Sequence, residues 1–426
     1  MADGAGGVGL GTGRSPPAVE FGEMLFDLDF SPAGNVCAVG AVTGDVTVVE
    51  FGGREAGSGG GGEAWSRVAH SLRGKHGGES CRAVRFGGDG ATLYSGGGDL
   101  AIHAVDVETG RASGTLANAH GSAVNCLCVC GSGGGLVASG DDDGVVRFWD
   151  VRQARQAGSF EKCQTDFISD MCWVPEVGHL LATSGDGTLA SFDLRKLSGI
   201  KAAQRSDEDE ELLSVVCLKR GRKVVCGTQL GVLQVFSWGK LGDVTDRFPG
   251  HPQSVDTLLK IDEGTVCSGS SDGLVRVLSI QPNKMLGVLG EHADFPVERI
   301  AKSCDGWVLG SISHDETLRF WDISALTADG GGGDEAEDVE VKDGKGGGGA
   351  AAGGSASGAA AVTPAVNEVK GKSKAEESMD VSGFGSEFDS EDFSDSSESS
   401  AEARSNRVKK GGRDFSRGNN GFFDGL

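Results

Sequence analysis

The chain has 426 residues, a net charge of −23, 73 glycines, 11 cysteines and a single tyrosine. That length allows one large domain with an appendage or two domains of ordinary size, and that charge excludes attraction to nucleic-acid phosphates as a property of the whole molecule. No stretch approaches the roughly 20 apolar residues of a membrane-spanning helix, and Met1-Ala2-Asp3-Gly4 opens no secretion signal, so a soluble intracellular protein is expected.

In chain order, residues 1–17 are expected to be a disordered N-terminus. From residue 18 one short pattern recurs: small residues, a turn with Asp or Gly, then an alternating apolar strand. The clearest copies run from Ser139 through Asp141-Asp142-Asp143-Gly144 to Trp149-Asp150, and from Ser311 through His314-Asp315-Glu316 to Trp321-Asp322. Weaker copies end at Glu50, Asp106, Asp193, Ser237 and Ser279, and successive ends lie 56, 44, 43, 44, 42 and 43 positions apart. A period of about 40–45 residues is that of a four-stranded propeller blade. Seven copies over residues 18–324 therefore predict an all-β, seven-bladed WD-repeat propeller, closed so that no long edge stays unpaired. Only the first interval is long. Its surplus coincides with the glycine-rich residues 52–62, expected to form a flexible insert between blades one and two.

His120, His251 and His292 stand 30, 28 and 30 positions before the copy ends Asp150, Ser279 and Asp322. In WD-repeat proteins a histidine at this offset bonds toward the turn aspartate, which gives the expected pairs His120 with Asp143, His251 with Asp272 and His292 with Asp315. A serine and the strand tryptophan, Trp149 or Trp321, extend the network. Repetition of a His–Asp pair at the blade period argues for a satisfied structural network rather than acid–base catalysis. No GxSxG, HExxH or P-loop motif occurs, and glycine runs such as Gly87-Gly88-Asp89-Gly90 read as hairpin turns. The cysteines form no CxxC pair and read as small buried residues in a reducing compartment. No catalytic residue, metal ligand or cofactor is assigned, and a non-enzymatic protein is expected, without small-molecule substrate or direct nucleic-acid contact.

After the last copy, residues 325–426 are rich in Gly, Ala, Ser and acids and are expected to be disordered. Residues 380–402 contain acids and serines with no Lys or Arg; Ser386 and Ser399 have an acid three residues on, which acid-directed kinases prefer. A plain solubilising tail is the other reading. Arg404, Arg407, Lys409, Lys410, Arg413 and Arg417 then form a basic cluster suited to a nuclear or nucleolar address. Phe422, Phe423 and Leu426 suggest a docking peptide that would bury two rings.

Several stretches outside the generic blade pattern are more specific. They include Cys81-Arg82-Ala83-Val84-Arg85-Phe86, Ala119-His120-Gly121 followed by Val124-Asn125, and Ile168-Ser169-Asp170-Met171. Others are Ser184-Gly185-Asp186-Gly187, Lys223-Val224-Val225-Cys226-Gly227, Ser271-Asp272-Gly273-Leu274-Val275-Arg276 and Gln281-Pro282-Asn283-Lys284. Through these, residues 18 to 324 resemble the WD repeat-containing protein 55 family, known in yeast as a nucleolar WD-repeat protein. The family's tail is basic with a short Phe-Phe…Leu element; this chain keeps Phe422, Phe423 and Leu426 behind a long glycine-, alanine- and acid-rich insertion. The resemblance implies a nuclear, largely nucleolar scaffold, with a cytoplasmic pool as an alternative. It would support ribosomal RNA synthesis or ribosome assembly through pre-ribosomal or nucleolar protein partners, as a monomer within larger complexes.

A second resemblance lies in Trp149-Asp150-Val151-Arg152, which is similar to the WDxR box of WD-repeat receptors for cullin-4 ubiquitin ligases. Phe192-Asp193-Leu194-Arg195 is a weaker copy in the next blade. By this likeness Arg152 and Arg195 would reach the ligase adaptor from neighbouring blades, where a planar guanidinium makes several directed bonds. The plain alternative makes Trp149 and Asp150 ordinary blade residues and Arg152 a solvated charge. A chromatin-peptide reader at the channel mouth is a third reading and rests on the fold alone.

Overall fold

Each copy of the pattern folds into four antiparallel strands, as blade three shows: Val124–Cys130, Leu136–Asp141, Val146–Asp150 and Arg155–Phe160, hydrogen-bonded in that order. The computed structural model describes residues 16–53, 65–131, 133, 135–161, 164–195, 202–205 and 210–328. Second strands are buried on nearly every residue because the neighbouring blades cover both of their faces, third strands such as Val146–Asp150 are buried on part of their length, and a fourth strand such as Ala112–Leu116 is exposed along most of its length. First strands of successive blades touch one another around the whole ring, the last touching the first, so they line its axis.

The core consists of apolar layers between blades. Phe148 of blade three and Phe192 of blade four share one layer with Cys126 and Ile168, and Phe320 of blade seven meets Phe30 and Phe51 of blade one. Small residues recur in the second strand because the next blade leaves them no room. A Cβ at Gly140 would lie 2.6 Å from Ile168.

The ring closes through Val19–Glu20, which pairs with Leu318 and Thr317 as the fourth strand of blade seven. Blade one corrects the sequence reading. Its third strand ends at Phe51 and its fourth, Ser66–Leu72, pairs back onto it, so the glycine-rich insert lies within blade one and not between blades one and two. Each copy end marks the close of a third strand, with the fourth still to come. The domain also runs slightly further than expected, into a short helix, Ser324–Ala328, whose Leu326 packs on the core layer that includes Ile323. Residues 1–15, 54–64 and 329–426 lie outside the described residues, and with them the expectations for the N-terminus, the tail serines, the basic cluster and Phe422, Phe423 and Leu426. Among the described residues no helix is long and apolar enough to cross a membrane, and the ten cysteines are free.

Candidate functional site

The histidines show what the ring holds rigid. In blade seven His292 is bonded at both ring nitrogens, Nδ1 to Asp315 at 2.9 Å and Nε2 to Ser311 at 2.7 Å, while the Trp321 indole donates to the same serine at 2.8 Å. Blade three repeats the arrangement with one correction. His120 Nδ1 bonds Asp141 at 2.7 Å and not Asp143, with Nε2 on Ser139 at 2.6 Å and Trp149 donating to that serine at 2.7 Å. Asp141 ends the second strand and is buried, and its other oxygen accepts the Asp143 and Val145 amides; Asp143 is exposed in the turn.

Blade six needs a second correction. His251 bonds Ser268 through Nε2 at 2.8 Å, but its buried Nδ1 has no partner among the described residues, and Asp272 is held by both outer nitrogens of Arg276 instead. Burial, with Arg276 nearby, pushes the pKa of His251 down to about 4. A fourth network was not anticipated. In blade two His76 Nδ1 bonds Asp99 at 2.8 Å and Nε2 bonds Ser95 at 3.0 Å, while His103 Nε2 bonds the other oxygen of Asp99 at 2.7 Å. The signal was present, since His76 stands 30 positions before Asp106, but the blade carries Val105 where a tryptophan would draw attention.

Strand direction alternates, so the turns between second and third strands share one edge of the ring with the connections between blades. Those seven turns hold eight Asp or Glu and no Lys or Arg. Asp256 and Glu298, second residues of their first strands, start from the same edge. Of the five large exposed hydrophobics among the described residues, Val42, Leu230 and Phe295 are also there.

The opposite edge carries the two boxes. Trp149 and Phe192 are buried in the inter-blade layers, so a partner could reach only the polar ends of each box. Asp150 caps its turn by accepting the Arg152 and Gln153 amides. Among the described residues the exposed Arg152 guanidinium bonds the Gly133 carbonyl, at 3.4 Å. Arg195, on the adjacent blade, is also exposed but forked onto Asp193 at 2.7 and 2.8 Å, which holds that carboxyl well below the usual carboxylate range. Lys219, Arg220 and Arg222 follow on this edge of blade five.

With the geometry in place, comparison decides the kinship. A family model described as WDR55 matches residues 16–326. The chain belongs to the WDR55 family. The WD repeat-containing protein 55 of Bos taurus is 38% identical over 71% of this chain and 75% of its own length; that of Arabidopsis thaliana is 34% identical over 72% and 83%. The WD repeat-containing protein JIP5 of Coprinopsis cinerea is 35% identical over 73% and 74%. A chain in a crystal structure of the mitotic checkpoint complex shares the fold alone, with a TM-score of 0.61 over 76% of this chain and 98% of its own at 18% identity.

The channel of this WDR55-family propeller is crossed by its own charges. Arg299 of blade seven lies 3.3 Å from Asp27 of blade one and 3.1 Å from Asp170 of blade four, and Arg85 of blade two also holds Asp27. Burial opposes the charge of Arg299, but Asp170 and Asp27 outweigh it and raise its pKa. The carboxylates also accept the Val84 and Val215 amides, so the cluster ties five blades together.

Proposed function

We propose that this propeller is a non-catalytic nucleolar scaffold in ribosome production, and that basic protein segments dock on its acid-rich edge. The observation that carries the reading is that edge: eight acids without a Lys or Arg in its seven turns, interrupted by exposed Val42, Leu230 and Phe295. Proteins destined to bind RNA are basic before they meet it, and an acidic surface with apolar anchors complements them by charge and burial. Kinship with proteins named WD repeat-containing protein 55 and JIP5 supports the same role. The bonded histidines fit a scaffold, because His76, His120 and His292 each tie a strand serine to an aspartate at the turn. The test compares the wild type with an Asp142→Asn, Glu316→Gln, Phe295→Ala variant for co-sedimentation with pre-ribosomal particles. We expect the variant to leave the particles and its residual binding to depend less steeply on salt. Unchanged co-sedimentation would remove this edge from the function.

The exposed Arg152 guanidinium, with one long bond to Gly133 among the described residues, favours a second reading: capture by a cullin-4 ligase adaptor on the opposite edge. Arg152→Ala is expected to weaken adaptor pull-down by roughly 1.5–3 kcal/mol per buried charge-assisted contact. Adding Arg195→Ala should weaken it less, since Asp193 already occupies that fork. A double variant that captures the adaptor as the wild type does returns both arginines to solvated surface charge. The two readings use different edges, so each variant set leaves the other function intact.

A further inference from the structure

We infer that His76, Asp99 and His103 form a binding site for a divalent transition metal of the zinc class on blade two. The three other blades that carry a network of this type explain why the site falls on blade two. Arg276, Arg319 and Arg147 pair in register with Ser268, Ser311 and Ser139, and the first two hold the turn aspartates Asp272 and Asp315. In blade two the corresponding partner of Ser95 is His103. A permanently charged guanidinium, which excludes a cation, is thereby replaced by an imidazole, which can ligate one.

The donors are arranged for it. One ring nitrogen from each of His76 and His103 and a carboxylate oxygen of Asp99 lie within 4.8 Å of one another, with the two rings edge to face at 4.7 Å. Each histidine's other nitrogen is held by a hydroxyl, His76 by Ser95 at 3.0 Å and His103 by Thr115 at 3.1 Å. These outer bonds orient the rings and fix which nitrogen faces the carboxylate, as outer partners do in metal sites. A tetrahedral zinc at about 2.0–2.1 Å from nitrogen sets its ligands roughly 3.3 Å apart, so the imidazole–carboxylate contacts need open by only about half an ångström. His76 is fully buried, while Asp99 and His103 keep 19% and 12% of their side chains exposed, which leaves an entry path and room for water as the fourth ligand. Two imidazoles and one carboxylate select zinc-class ions over magnesium or calcium, which prefer all-oxygen sets.

The test uses the full chain stripped of metal, titrated with Zn2+ by calorimetry and thermal unfolding, with Mg2+ as control, and with Co2+ as a spectroscopic reporter. The wild type should bind one ion at this site, gain thermal stability, and show a Co2+ visible band without thiolate charge transfer. His103→Arg rebuilds the arrangement of blades six and seven, so it should melt like the metal-free wild type and lose the response to zinc. Removing a ligand should cost more than the roughly 10–100-fold in affinity that loss of an outer partner costs. If the wild type binds no zinc, if His103→Arg binds it equally well, or if the Co2+ spectrum is that of thiolates, the site is not there.

Discussion

Blades seven and six place a histidine in the same connection and a serine opposite it, yet they solve the burial of an imidazole differently. His292 spends both nitrogens and shares its serine with Trp321; His251 spends one, with Leu278 in the position of the tryptophan and Asp272 taken by Arg276. Blade six has two residues fewer between histidine and serine than blades seven and three, 17 positions against 19, so the ring that reaches the serine is no longer carried to the carboxylate. The difference teaches that a histidine at blade spacing marks a burial site, while the length of the connection decides whether the second bond is made.

The widest gap should come from deleting each ring. His292→Ala removes one bond to a serine and one to a carboxylate, although Ser311 keeps Trp321 and Asp315 keeps Arg319 and Thr317; at roughly 0.5–1.5 kcal/mol for a neutral bond and roughly 1.5–3 kcal/mol for one to a charged group, a loss of at least about 2 kcal/mol is expected. Thermal and urea unfolding measure it, and His120→Ala should match because blade three has the same set of bonds. A catalytic histidine would behave in the opposite way, since its removal leaves stability nearly intact. Both variants melting within a degree of the wild type would reopen the search for a site at these residues.

Protonation probes the same contrast more gently. His251 has a folded pKa of about 4 against an ordinary 6.5, so its contribution to stability is complete above pH 6.5 and is lost as pH falls toward 4, because the unfolded chain takes up the proton first. His251→Gln removes that titration. Between pH 7 and pH 5 the wild type should therefore lose roughly 1–2 kcal/mol relative to the variant. Parallel pH profiles of the two would show that Nδ1 finds a partner in solution.

How much of this was legible in the sequence depends on the reach of the signal. The seven third strands announced themselves, because alternation and a terminal Trp-Asp or its relic are local properties. The interval of 30 positions was equally local and pointed to His76, but without a tryptophan beside it the mark went unread. Ring closure by Val19–Glu20 was not legible, since two residues carry no period and their partners, Leu318 and Thr317, lie at the far end of the domain. The channel cluster was hidden for the same reason. Asp27, Asp170 and Arg299 follow the bulge of three different first strands, and Arg299 meets an aspartate 129 residues away. The arginine boxes could be read, but Asp193 closing the fork of Arg195 depends on the shape of the turn.

Deleting the ring of blade six should cost less than deleting that of blade seven. His251→Ala orphans Ser268 alone, so about 1 kcal/mol beyond the lost packing is expected; equality with His292→Ala would mean that packing, not bonding, sets the cost in both blades.

The smallest effect should fall on the residue the sequence singled out. The WD-repeat pattern assigns the turn aspartate Asp143 to His120, and Asp143 stands 23 positions after it as Asp315 stands after His292. Strand pairing overrules spacing here. Asp141 is opposite Val124 at the end of the second strand, 1% exposed, bonded to His120 and to two turn amides, whereas Asp143 is in solvent. Asp143→Ala should therefore change stability by no more than about 0.5 kcal/mol, as surface substitutions do. Asp141→Ala, which strips a buried imidazole and two amides of their acceptor, should approach the loss seen for His120→Ala. Combining Asp141→Ala with His120→Ala should cost less than the sum of the two, because the bond they share is lost only once. Additive losses in that double variant, or an Asp143→Ala variant as unstable as Asp141→Ala, would move the network back to the residue that spacing alone selects.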